Sequence, residues 1–79
     1  MNSMEIYKEV DTRGLTCPLP ILRAKKALAD MQSGQVLKVL ATDPSSHQDF
    51  AAFTKQTGNE LIAVTACINK TFVFLIRRR

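Results

Sequence analysis

With 79 residues the chain has room for one domain and one modest core, and for no enclosed active-site chamber. Chemistry at this size lies on the surface and takes its other half from a partner. Apolar residues make up 46%, which excludes a disordered chain, and eleven Lys and Arg against seven Asp and Glu give a formal charge of +4, a mild bias toward acidic partners, protein or RNA.

No apolar run reaches the length of a membrane span. The opening Met1-Asn2-Ser3-Met4-Glu5 lacks the basic-then-apolar pattern of a secretory signal, so a cytoplasmic protein is expected. Two cysteines far apart make no disulfide framework, and with a lone His47 they make no zinc site. Residues 1–79 read as a single domain without repeats or linkers.

In chain order, Glu5 to Val10 alternates weakly, with Met4, Ile6 and Val10 on one side, and predicts a strand. Asp11 to Thr16 is a loop to which Gly14 lends backbone freedom. Pro18 to Met31 predicts a helix whose buried stripe is Ile21, Ala24, Ala27, Leu28 and Met31. Val36 to Ala41 is a strand with Leu37, Val39 and Ala41 inward. Asp43-Pro44-Ser45-Ser46 stops it and opens a second helix, capped by Ser45 or Ser46 with Gln48 or Asp49 as reciprocal partner. Phe50, Phe53 and Thr57 mark its inner face, and Gly58 ends it. Leu61 to Ile68 and Thr71 to Ile76 are strands joined by a tight turn at Asn69-Lys70.

The order β-α-β-α-β-β, with right-handed crossovers, implies an α/β two-layer sandwich: a four-stranded mixed sheet with two helices on one face. The last strand is apolar on both sides. Its second side is either covered by neighbouring side chains or an interface for a partner or a second copy, as in a weak homodimer.

Cys17 is the residue on which function turns. Pro18 and Pro20 fit the first turn of a helix, and Pro18 biases Cys17 toward an extended conformation. The sulfur is therefore expected at or just before the N-cap, where the helix end favours a thiolate. Arg13, in a loop expected to fold back beside it, and Lys25 and Lys26 along the helix are expected to lower its pKa further. With two prolines lacking amide protons, Leu19 and Ile21 remain as donors to a thiolate or persulfide. No base accompanies the cysteine as a hydrolase would require; a lone thiol suits chemistry that receives a sulfur atom and hands it on. The flanking prolines and the Gly14 loop argue against a buried, inert role for Cys17.

Other residues have plainer readings. Cys67 falls on the strand face of Leu61, Ala63 and Thr65 and reads as core or sheet filler. His47 is a solvated helix-start residue, and Arg77, Arg78 and Arg79 form a frayed, solvated tail. Lys25 and Lys26 are an exposed face suited to docking. Asp43 starts a turn, and in this topology it borders the Cys17 loop.

The run Asp11-x-Arg13-Gly14-Leu15-x-Cys17-Pro18-x-Pro20-Ile21-Leu22-x-Ala24-Lys25-Lys26-Ala27-Leu28 resembles the TusA/SirA-type small sulfur carriers, marked by a CPxP motif at the first helix. Length, element order and the Thr42-Asp43-Pro44 turn extend the resemblance over nearly the whole chain. It implies a sulfurtransferase whose Cys17 takes sulfane sulfur as a transient persulfide, with no other cofactor. The donor would be a cysteine desulfurase or a rhodanese and the recipient an acceptor protein, serving tRNA 2-thiolation, molybdenum-cofactor enzyme maturation or sulfur oxidation. It also implies a fold like the C-terminal domain of translation initiation factor three, and docking through Lys25 and Asp43. Ala29 departs from members that carry a basic residue there. Two competing readings are a regulatory or RNA-binding module, motivated by the charge and the arginine tail, and a redox sensor using sulfenic acid or a Cys17–Cys67 disulfide. Tyr7, Phe72 and Phe74 do not sit in a matching RNA-binding motif, so no direct nucleic-acid contact is expected.

Overall fold

A computed structural model describes residues 5–67 and 69–79. The elements are β1 (Ile6–Thr12), α1 (Leu19–Ala29), β2 (Val36–Ala41), α2 (Ser46–Thr57), β3 (Glu60–Ala66) and β4 (Phe72–Arg77). The strands form one sheet in the order β1-β2-β4-β3. β1 pairs parallel to β2, and β4 runs antiparallel to both β2 and β3. β1, β2 and β3 thus share one direction, with β4 slotted between the last two. Both helices cover one face, giving the expected two-layer α/β sandwich.

Strand alternation sorts the side chains. Leu37, Val39 and Ala41 of β2 and Phe74 and Ile76 of β4 are completely buried under the helices. From α1 come Ala24, Ala27 and Leu28, with Met31 just beyond it, and from α2 Phe50 and Phe53. Phe50 stacks on Phe74 at 4.6 Å between centroids. The Thr54 hydroxyl, buried among them, donates to the Phe50 carbonyl at 2.9 Å. On the uncovered face, Val73 and Leu75 are half-buried, because β4 is a central strand shielded laterally by β2 and β3.

Element ends differ from the sequence reading for identifiable reasons. β1 continues to Thr12, whose buried hydroxyl donates to the Leu40 carbonyl at 2.5 Å. A register shift between Ile6 and Lys8 turns Ile6 away from the core, leaving it 42% exposed. The expected inward Met4 and the expected strand end at Ile68 lie outside the described residues. α1 begins at Leu19 with Pro18 as N-cap, and it ends at Ala29 because the Asp30 amide closes onto the Ala27 carbonyl. Neither Ser45 nor Ser46 caps α2 with its side chain. Asp43 does that work: its Oδ1 accepts from the Ser45 amide at 3.0 Å and its carbonyl from the Ser46 amide at 2.9 Å.

The C-terminal arginines are anchored, contrary to the expected frayed tail. Arg77 belongs to β4 and pairs with Glu60 at 2.7 Å. The Arg78 amide donates to the Gln35 carbonyl, and its Nε donates to the Leu28 carbonyl at 2.9 Å. The Arg79 amide donates to Asn59 Oδ1 at 2.8 Å.

Gly58 ends α2 at φ +83°, in the left-handed region, and a Cβ there would lie 2.9 Å from Arg79 Cδ. Gly58→Ala is expected to cost about 1–2 kcal/mol. At roughly 4–8 °C per kcal/mol in a domain of this size, a thermal melt reads that directly.

Candidate functional site

Because β1 and β2 are parallel neighbours, with Thr12 level with Ala41, the loops leaving them emerge at the same edge of the sheet. Open α/β sheets place their binding sites at such carboxyl ends. Three contacts tie the two loops together. Thr12 Oγ1 reaches the Leu40 carbonyl, Gly14 N–H donates to Thr42 Oγ1 at 2.8 Å, and Cys17 N–H donates to Asp43 Oδ2 at 2.6 Å. Gly14 sits at φ +84°, which a side chain would strain, and the turn it makes carries the chain from β1 back over the β2 loop.

A cis peptide bond joins Cys17 to the Pro18 N-cap, and the Cys17 side chain is free and exposed. Pro18 is exposed, while Pro20 is buried and pins the first turn of α1 to the body of the domain. Ile21 packs half-buried on the core. Of the two amide donors expected near the sulfur, the Leu19 N–H is occupied by the Thr16 carbonyl at 2.9 Å.

The electrostatics reverse the sequence expectation. Arg13 does not turn to the sulfur. Its guanidinium forks onto Asp11, with Nε and one Nη donating at 2.9 and 2.7 Å. Those side-chain bonds, with the Arg13 amide, hold the Asp11 carboxyl down at about 2. Cys17 instead has carboxylates as neighbours, and its thiol is pushed above the ordinary cysteine value. The largest cause is hydrogen bonding of the thiol to Asp49, followed by desolvation and by the charges of Asp49 and Asp43. Both acids serve the N-terminus of α2: Asp43 caps it, and Asp49 lies in its first turn, where the helix dipole favours a negative charge. What stabilises α2 therefore disfavours a thiolate on Cys17.

Lys25 and Lys26 are exposed on α1, in the second turn and beyond, and neither is paired among the described residues. Lys25 and Ala29 edge a cleft of about 210 Å³ that Phe53 floors and Arg78 and Arg79 flank. Sequence reasoning missed Leu22 here, and it gave Leu19 a role only through its amide. Leu19 and Leu22 are 42% and 52% exposed on the turn that follows Cys17. Their signal was present, since both fall off the buried stripe, and Leu22 shares a helix face with Lys25, Lys26 and Ala29 at spacings of three and four.

Cys67 lies one residue past β3, free and exposed, and is not the core or sheet filler expected from its apolar surroundings. Pairing levels Ala66 with Phe72 and Phe72 with Ala41, so Cys67 leaves the sheet at the same edge as Cys17 but from the far edge strand. Among the described residues no helix is long and apolar enough to cross a membrane.

Comparison with known proteins agrees with the geometry. The family model described as Sulfurtransferase TusA matches residues 8–78. The Sulfur carrier protein TusA of Allochromatium vinosum is 61% identical over 71 residues, covering 90% of this chain and 92% of its own. That of Pseudomonas syringae pv. syringae is 35% identical over 79 residues, covering 100% and 93%. Among solved structures, a SirA-like protein from Desulfitobacterium hafniense superposes with a TM-score of 0.80 at 30% identity, covering 89% of this chain and 95% of that one. With the family model spanning residues 8–78 and relatives of matching length named as sulfur carriers, the chain belongs to the TusA sulfurtransferase family.

Proposed function

We propose that this protein accepts sulfane sulfur as a persulfide on Cys17 and passes it to an acceptor protein. The observation that carries this reading is the free, exposed Cys17 thiol on a main chain held in place by Asp43. In loading, Cys17 Sγ attacks the outer sulfur of a donor persulfide. The donor's S–S bond breaks, a new S–S bond forms on Cys17, and the thiol proton ends on the departing donor thiolate. Unloading repeats the exchange with an acceptor thiolate, so no external oxidant, metal or cofactor enters. A cysteine desulfurase or a rhodanese suits the donor role, and tRNA thiolation, molybdenum-cofactor enzyme maturation or sulfur oxidation would consume the product. Free thiols persist in the reducing cytoplasm, where this reading places the protein, as a single carrier domain.

The surface around the thiol supports docking: apolar Leu19 and Leu22 beside it, Lys25 and Lys26 further along α1, Asp43 across from it. Contacts of a relay are transient and small, near or below ~1,200 Å² in total. Leu22→Asp, on an exposed position, is expected to leave folding intact. The carrier concentration needed for half-maximal loading should rise about tenfold, as loss of one apolar anchor would do.

The test is incubation with a cysteine desulfurase and cysteine, and separately with a rhodanese and thiosulfate, followed by peptide mass spectrometry. One added sulfur, roughly 32 Da, is expected on the Cys17 peptide. Sulfur found only on Cys67, or nowhere with either donor, overturns the reading. The RNA-binding alternative loses its free tail, since Arg77 and Arg78 are engaged through their side chains and Arg79 is held by its backbone amide. The exposure of both cysteines at one edge favours keeping the redox-sensor reading as a second one, and non-reducing digestion after peroxide treatment would find a Cys17–Cys67 disulfide if it forms.

A further inference from the structure

The C-terminal arginines, anchored where a free tail was expected, build one side of the cleft between the two helices. Its base is apolar, made by Leu28 of α1 and Phe53 of α2, and its rim carries Lys25, Arg78 and Arg79. Among the described residues, no side chain lining it is acidic. The acids nearest to it along the chain are paired elsewhere, Asp30 with Lys8 at 3.9 Å and Glu60 with Arg77 at 2.7 Å. Lys25 and Arg79 have no carboxylate partner among the described residues. Arg78 donates through Nε to the Leu28 carbonyl and through one Nη to the Arg79 carbonyl, which uses two of the five N–H donors of its guanidinium. Asn59 pins the Arg79 amide and itself donates to Thr57, while the Arg79 side chain lies against Gly58. Capping of the α1 carbonyl end accounts for the Arg78 Nε contact alone. The remaining positive charge faces the cleft.

We propose that this cleft docks an acidic segment of a protein partner, with an apolar side chain seated on Leu28 and Phe53 and carboxylates meeting Lys25, Arg78 and Arg79. Size selects a peptide. A volume of about 210 Å³ admits one or two side chains and falls below the ~300–1,000 Å³ of small-molecule sites. A single-stranded nucleic acid binds by stacking bases on aromatic faces, and Phe53 is only 8% exposed. A second copy of the chain, at +4, is repelled by the same charge that attracts an acidic partner. The position also keeps the thiol free. Arg77, just before the two arginines of the rim, is level with Val36 and Glu60, where β2 and β3 begin. The Cys17 loop leaves from the strand ends at the other edge, roughly 17 Å away along the six residues of β2. A partner gripped at the arginines therefore leaves Cys17 open to exchange sulfur.

The experiment is a titration of the full chain with a peptide of one leucine flanked on each side by two glutamates, followed by amide proton–nitrogen NMR. Shifts are expected at Lys25, Ala29, Asn59, Arg78 and Arg79, fading as salt is raised. Arg79→Gln, held through its main chain, is expected to weaken binding about two- to fivefold, as loss of one surface ion pair does. Ala29→Glu, exposed at the rim, should abolish it by setting an acid against the incoming carboxylates. Circular dichroism checks both folds. Peptides with glutamine for glutamate, or glycine for leucine, repeat the two readings on the unaltered protein and should bind more weakly than the parent peptide. The proposal is overturned if the glutamine peptide binds equally well, if the shifts fall elsewhere, or if about 1 mM peptide shifts nothing. It is overturned too if oligouridylate or inorganic phosphate perturbs these amides and the peptide does not. The titration needs no sulfur on Cys17, so its failure leaves the carrier reading to the mass-spectrometric test.

Discussion

Cys17→Ser is expected to take up no sulfur from either donor, so the increment of roughly 32 Da disappears from every peptide. A hydroxyl at neutral pH is neither an adequate nucleophile toward a persulfide nor able to form the S–S bond that carries the sulfur. The loss should be complete, because Cys67 leaves the sheet from the opposite edge strand and lacks the neighbouring helix start and apolar turn. The fold should hardly notice. The Cys17 side chain is exposed, and its contact with Asp43 runs through the backbone amide, which serine retains. Exposed substitutions of this kind stay within about 0.5 kcal/mol, so a melting curve matching the parent should accompany the null mass result. A variant that still loads at Cys67 would show that the carrier position had been misassigned.

Phe74→Ala carries the largest expected effect on stability. Phe74 lies at the middle of the sheet, paired with Val39 on one side and Val64 on the other, fully buried and stacked on Phe50. Truncation removes the ring that packs the sheet against α2 and leaves a cavity in the middle of the core. Such changes cost about 3–5 kcal/mol, against a total of roughly 5–15 kcal/mol for a domain. Urea unfolding should show a midpoint lowered by roughly a fifth or more with the slope unchanged. Val64→Ala, on the exposed edge strand, serves as the control and should move it little. A small loss at Phe74 would mean that the two layers are joined elsewhere.

Patterns local to one element were legible in advance. The bounds of β2 and its inward set, Leu37, Val39 and Ala41, follow from strict alternation. The stripe of α1 follows from spacings of three and four, and Gly58 as the end of α2 from its freedom at positive φ. Features decided by a partner distant in sequence were not. Thr12 joins β1 because Leu40 offers a carbonyl, and Asp43 displaces the serines as cap because its carboxylate reaches both Ser45 and Cys17. The arginine tail is held by acceptors on α1, on the loop before β2 and on Asn59. Cys67 escapes burial because it follows the exposed end of an edge strand, where Val64, Thr65 and Ala66 already face solvent.

From residue order alone came the succession of elements, the apolar faces that must meet, and a cysteine at the start of the first helix, for these depend on interactions a few residues long. The insertion of β4 between β2 and β3 came only from the tertiary structure, as did the hydrogen bond from the Cys17 amide to Asp43 that joins the β1 and β2 loops. The electrostatic setting of the sulfur was decided there too, and against local expectation: helix start and nearby basic residues argue for a thiolate, yet folding turns Arg13 onto Asp11 and brings Asp43 and Asp49 to Cys17. Coulomb interactions act through space, so the charge that governs a thiol is the one the fold sets beside it, whatever its distance along the chain.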